Sequence, residues 1–237
     1  MLTYCTSISI GIYLSLFMPY QQGPCLSDSY SPHIPKESIV RIEVSNASGV
    51  VLSVGSGIVV NDNKHVATCA HVLEGGTSFS VYAWGSIEPL VAKPYVNNDK
   101  LDCAILVLPS GKGLLPVKFA DDLEFAEGKH VILVGYSFDQ HVLNREIPRL
   151  SSGIISTGCR QLNSVFAPIV SISVDGMLEI QGFADNGFSG GPVLSLQGEV
   201  VGLISIRFEA YHSWDGYIYA IPSTAITKFL HDVFKEQ

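Results

Sequence analysis

The chain has 237 residues, of which 47% are hydrophobic and 15% charged, so it can bury a substantial core and is too apolar to be disordered. Its formal net charge of −8 speaks against a phosphate-binding surface, and so against nucleic acid as a partner. The five cysteines (Cys5, Cys25, Cys69, Cys103 and Cys159) form no Cys-x-x-Cys pair and indicate neither a zinc ribbon nor a dense disulfide framework.

Residues 1–27 carry no charged side chain, and Ile8 to Met18 is nearly all apolar. No Lys or Arg precedes that run, no clear small-x-small cleavage site follows it, and it is short for a spanning helix of roughly 20 residues. A signal for export, a membrane association through residues 5–19, and a plain extension lying on the body are the three readings of this segment. Residues 19–37, with Pro19, Pro24, Pro32 and Pro35, read as an irregular linker.

From Ser38 onward, short apolar runs alternate with turns drawn from the 22 glycines and 12 prolines. Strands are predicted at Ile39–Val44, at Phe79–Trp84, Val91–Tyr95 and Leu101–Leu108, and along the run from His65 to Val72. Val50–Val60, interrupted by Gly55 and Gly57, reads as a hairpin or a bulged pair. After a Gly/Pro-rich crossing at 109–116, strands resume at Val131–Gly135, Gly153–Ser156, Ile169–Val174 and Leu178–Gln181. Val193–Leu196, Val200–Arg207 and Tyr217–Ile221 complete the set. Many short strands at fairly regular spacing mean an all-β sandwich or barrel. The end of the chain departs from this: Pro222-Ser223 opens an amphipathic helix with Ile226, Phe229, Leu230, Val233 and Phe234 on one face. No internal repeat and no Gly-x-Gly-x-x-Gly is present, and neither a cofactor nor a metal is expected.

One stretch, Asp185-Asn186-Gly187-Phe188-Ser189-Gly190-Gly191-Pro192, can do chemistry. A serine hydroxyl attacks a carbonyl only with a base beside it and fixed donors for the oxyanion that develops. The glycines let the backbone turn so that the N–H groups of Gly187 and Ser189 aim at one point. A Gly-rich hairpin turn would look the same, so the base decides. Among seven histidines, His71 alone closes an apolar run and is followed by a loop. Asp102 opens the apolar run to Leu108, where a desolvated carboxylate wants a hydrogen-bond partner, and an imidazole N–H would serve. The chain order is His71, Asp102, Ser189.

Thr68-Cys69-Ala70-His71, Asp102-Cys103-Ala104-Ile105-Leu106 and Gly187-Phe188-Ser189-Gly190-Gly191-Pro192 resemble the three motifs of chymotrypsin-fold, trypsin-like serine proteases. The likeness is greatest to the high-temperature-requirement branch. Gly55-Ser56-Gly57-Ile58-Val59, Ser152 to Ser156, Gly198 to Gly202 and Tyr219 to Ser223 agree as well. The resemblance covers about residues 38–225. It implies two packed six-stranded antiparallel β-barrels with the catalytic residues between them. The expected division is an N-terminal segment at 1–37, barrels at 38–118 and 119–221, and a helix at 222–237. His71 would be the general base and then acid, Asp102 its orienter, Ser189 the nucleophile, and Gly187 and Ser189 the oxyanion donors. Polypeptides are the partners it implies.

The departures carry information. In trypsin-type enzymes a freed terminal ammonium pairs with an aspartate just before the nucleophile; here that residue is Phe188, and the oxyanion loop must be ordered another way. The cysteine that often follows the histidine is Val72, and no PDZ-like segment follows the protease body. By likeness to the family, Phe183 would form the base of the S1 pocket and Ser205, Ile206 and Arg207 one wall, with Ile218 opposite. Nothing acidic sits at that base, and Ile218 and Arg207 stand where glycine is common. Cleavage after small or medium aliphatic residues is therefore expected. Two alternatives follow from the same residues. Gly187-x-Ser189-x-Gly191 fits the nucleophile elbow of α/β-hydrolases, with Glu209 and His212 in the required order but without a helix after the serine. A catalytically silent scaffold is the other, carried by Phe188 and the cramped pocket.

Overall fold

Apolar runs this short can be buried only if their backbone N–H and C=O groups find partners, and this chain pairs strand after strand. The computed structural model describes residues 31–121, 126–138, 145–160, 176–205 and 216–235 (backbone only from 157 to 160). Strands β1 (Ile39–Ser45), β2 (Val51–Val60), β3 (His65–Thr68), β4 (Ser78–Ala83), β5 (Leu90–Asn98) and β6 (Cys103–Val107) close into one barrel in the order β1-β2-β3-β6-β5-β4. Strands β7 (His130–Gly135), β8 (Arg149–Arg160), β9 (Met177–Gly182), β10 (Pro192–Leu194), β11 (Val200–Ser205) and β12 (Tyr217–Pro222) close a second, in the order β10-β11-β12-β9-β8-β7. All of these neighbours are antiparallel. Closure leaves neither sheet an open edge. Pro32–Gln237 is one compact unit; the other, Met1–Ser31, lies outside the described residues except for Ser31.

Two sequence expectations need correction, and one falls outside the description. Val50–Val60 is neither a hairpin nor a bulged pair at its glycines. β2 runs unbroken through Gly55 and Gly57. Those glycines thin the strand rather than turn it: a Cβ on Gly55 would stand 2.5 Å from Val72 Cγ1, and one on Gly57 2.8 Å from Val66 Cγ1. The run from His65 stops being a strand at Thr68, and a short 3-10 turn, Ala70–Leu73, follows. The strand expected at 169–174 lies outside the described residues.

The core is not confined to each barrel. One buried cluster begins with Ile42, Ile58 and Ile105 inside the first barrel and continues through Tyr136, Leu203 and Tyr219 of the second. Leu133, Ile180, Phe188 and Ile204 anchor a separate cluster inside the second barrel. The segment joining the barrels stitches both. Val117 N–H donates to the Val59 carbonyl (2.9 Å), while the Lys118 carbonyl accepts from Val200 N–H (2.8 Å) and Ala120 N–H donates back to Val200 (2.9 Å).

Helix α1 (Ser223–Lys235) closes the chain. Its buried Ile226 and Leu230 belong to the cluster shared by both barrels, and the helix packs on β11 and β12. At its far end Phe234 meets two rings of the first barrel, His65 edge-on (centroids 4.8 Å apart) and Tyr95 stacked (6.0 Å). Among the described residues no helix is long and apolar enough to cross a membrane.

Candidate active site

His71 rides on the 3-10 turn that follows β3, with its side chain 18% exposed. Asp102 stands immediately before β6 and is wholly buried. Its φ of 55° puts it in the left-handed region, uncommon for any residue but glycine and one that aspartate tolerates better than most. There its carbonyl accepts from Ala70 N–H (3.1 Å) and its Oδ1 from His71 N–H (3.0 Å). The turn carrying the histidine is thus tied to the aspartate by backbone as well as by side chain.

The second carboxylate oxygen does the rest. Oδ2 lies 2.8 Å from His71 Nδ1 and accepts the Ser205 hydroxyl at 2.7 Å. Burial pushes the Asp102 carboxyl upward, but the bond and charge of His71, with the Ser205 hydroxyl and the His71 amide, outweigh it and hold the group below the usual carboxylate range. An ionised carboxylate can only accept, so Nδ1 must carry a proton, and in the neutral ring Nε2 is left with its lone pair. That is the tautomer a general base requires.

A carboxyl held below its unfolded value contributes stability that is complete above that value and is lost as pH falls through the lower, folded one. The difference in unfolding free energy between the wild-type chain and Asp102→Asn should therefore shrink as pH falls below about 3.8. Urea melts at stepped pH measure it; a difference that stays level down to pH 2 would show that Asp102 is not ionised through this pair.

Ser189 is 6% exposed and sits in the turn that leads into β10. Gly187 has a φ of 101°, and a side chain there would strike the Tyr136 carbonyl. Only glycine fits. Phe188, the residue before the serine, is buried in the second barrel's core, and its N–H turns to the Asp185 carbonyl (2.9 Å). Phe138 N–H bonds the Asn186 carbonyl at 2.7 Å. In a trans peptide the C=O and the next N–H point opposite ways, so the Gly187 N–H faces away from the Phe138 backbone. His71 and Ser189 line one cleft of about 380 Å³ together with Leu52, Val54, Phe138, Asn186 and Gly187.

The inferred specificity residues fall elsewhere. Phe183 is 63% exposed, Ile218 packs inside the second barrel's core, and Ser205 is buried on Asp102, so none of the three lines that cleft. Ile206 and Arg207 lie outside the described residues, as do Glu209 and His212. Strand β10 follows the serine, not the helix that a hydrolase elbow needs. Ser205 as a partner of the carboxylate was not foreseen. The available signal was a lone hydroxyl ending the apolar run Val200–Ile204, which burial obliges to find a partner.

Cys69, His71 and Asp102 have ligand atoms within 4.8 Å of one another. They do not fit a metal ion. Burial, then the Asp102 charge, pushes the Cys69 thiol well up, so it stays protonated, and it donates to the Ile204 carbonyl at 3.2 Å. Both oxygens of Asp102 are already engaged.

A model of the trypsin-like peptidase domain matches residues 55–203. Among curated proteins, a probable periplasmic serine endoprotease DegP-like of Rhizobium meliloti is 29% identical over 182 residues, covering 77% of this chain and 33% of its own length. Its Pseudomonas putida counterpart is 30% identical over 210 residues, covering 86% and 40%. The chain thus spans about a third of the length of the first relative and two-fifths of the second. Among solved structures, the active form of the Rv3671c protease from M. tuberculosis superposes with a TM-score of 0.69 at 22% identity, over 84% of this chain and 82% of that one. The serine endoprotease from Yersinia pestis does so with 0.67 at 18% identity, over 85% and 64%. These two share the fold. With two closed antiparallel barrels and a family match that runs from β2 to β11, the chain belongs to the trypsin-like peptidase domain family.

Proposed function

We propose that the chain is a serine endopeptidase that cleaves polypeptides through His71, Asp102 and Ser189. The observation that carries the reading is the pair of hydrogen bonds from His71, backbone and ring, to Asp102, beside a cleft that His71 shares with Ser189. His71 Nε2 takes the proton as Ser189 Oγ attacks the scissile carbonyl, and the buried carboxylate stabilises the imidazolium that forms. The N–H groups of Gly187 and Ser189 receive the oxyanion. Collapse of the tetrahedral intermediate expels the amine, which takes the proton from His71. Water, activated by the same nitrogen, then releases the acyl group from Ser189.

An extended substrate would add as a strand along residues 205–207. The side chains that line the cleft, Leu52, Val54, Val72 and Phe138 among them, include no acid, which supports cleavage after small or medium aliphatic residues. The curated relatives are named periplasmic endoproteases, and residues 1–27 are uncharged; together these support an exported protein.

A fluorophosphonate probe is expected to label the folded wild-type chain and not Ser189→Ala, and a peptide mixture should be cut after aliphatic residues. Folded protein that takes up no probe would end the enzymatic reading. A dominant Lys or Arg at P1 would overturn the pocket assignment alone.

A further inference from the structure

Ser56 is wholly buried in the middle of β2, on the first barrel, yet its hydroxyl reaches into the second. It donates to the Gly187 carbonyl at 2.7 Å and accepts from Tyr136 N–H at 2.9 Å. Its own N–H donates to the Ser189 carbonyl (2.8 Å), and its carbonyl accepts the Thr68 hydroxyl (2.7 Å). Glycines make so close an approach possible. A side chain on Gly190 would collide with the Ser56 carbonyl and the Thr68 hydroxyl, and a Cβ on Gly191 would stand 3.2 Å from Ser56 Cβ.

The consequence is local to the Gly187 backbone. Phe138 N–H on the Asn186 carbonyl fixes the peptide plane before it. The plane after it is fixed by Ser56 Oγ on the Gly187 carbonyl and by the Asp185 carbonyl on Phe188 N–H. A glycine at φ 101° can leave that conformation for many others, so its amide is only as well aimed as the bonds around it. The position before the nucleophile holds Phe188, which has no charge with which to anchor the loop.

We infer that Ser56 is a positioning residue of the oxyanion hole: its buried hydroxyl, sent across from the other barrel, clamps the Gly187–Phe188 peptide plane and so, with the Phe138 bond on the plane before, holds Gly187 in the conformation that aims its amide. The side chain must both donate and accept, from one carbon's reach. Serine meets this fully, threonine with a crowded methyl, and alanine not at all. Alanine would leave a buried carbonyl and a buried amide without partners. The catalytic consequence rests on the endopeptidase reading, whereas the clamp itself does not.

Two readouts keep these apart. The first is kcat and KM for a peptide substrate, with inhibition by a peptide boronate, for wild type, Ser56→Ala and Ser56→Thr, with Ser189→Ala as the blank. Ser56→Ala should lower kcat by about 10- to 100-fold, leave KM within about twofold, and weaken the boronate by the same factor as kcat, as expected when an oxyanion donor is misaimed. Ser56→Thr should recover most of the loss. The second is amide hydrogen exchange over residues 185–191, which should quicken at least about tenfold in Ser56→Ala while β1 and β6 keep their protection. If Ser56→Ala does not fold, Ser56→Cys, similar in size but a weak donor, takes its place in both arms. Unchanged exchange over 185–191 overturns the proposal. So does a kcat loss that follows the fall in thermal midpoint and is not restored by threonine. If the wild type shows no Ser189-dependent hydrolysis, the endopeptidase reading fails and the exchange comparison alone decides the clamp.

Discussion

Ser189→Ala is expected to lower kcat for peptide hydrolysis by about 10⁶-fold while leaving the fold intact. The hydroxyl bonds no substrate carbonyl until it attacks, so its removal takes away the covalent route and little ground-state binding. KM should move by less than about threefold. The backbone of the loop is retained: the Ser189 carbonyl still accepts from Ser56 N–H and Gly190 N–H still donates to the Ile204 carbonyl. The variant should therefore keep the hole and retain a residual rate about 10³- to 10⁴-fold above that in water. Steady-state kinetics on protein freed of contaminating proteases by a covalent inhibitor would measure this. A loss of only tenfold would place the nucleophile on another residue.

The second large effect is electronic. Asp102→Asn should lower kcat by about 10⁴-fold. The oxygen at Oδ2 now accepts from both His71 Nδ1 and the Ser205 hydroxyl. An amide nitrogen in that position donates instead. It would hold Nδ1 as the acceptor, move the imidazole proton to Nε2, and leave the base pointing its N–H at the serine. Nitrogen NMR of His71 reports the tautomer directly, and kinetics report the rate. Full activity with the proton moved to Nε2 would show that His71 is not the base.

How much of this was legible in the sequence depends on which physical constraint left a mark. Short apolar runs left one: most strands lie on such runs between turn residues, and β1 and β7 begin within a residue of expectation. A glycine's role left none, because Gly55 and Gly57 look the same whether they turn a chain or thin it. Only the side chains of Val72 and Val66 above them decide, and those come from other elements. In the site, a carboxylate at the mouth of an apolar strand is a readable demand for a partner. That Ser205 shares it is not readable, since its pairing with Asp102 spans the two barrels. Ile218 was misread in direction for a related reason. One residue's difference in strand register exchanges cleft for core, and its neighbours on β9 set the register.

Helix α1 begins with the Ser223 hydroxyl on the Ala120 carbonyl, at the second barrel, and ends with Phe234 between His65 and Tyr95 of the first. Thirteen residues at the usual helical rise span about 20 Å, so the helix acts as a tie-rod fastened to both halves from outside the crevice. The spacing of the two halves is thereby held at a second place, away from the cleft that His71 and Ser189 line, as well as by the core they share.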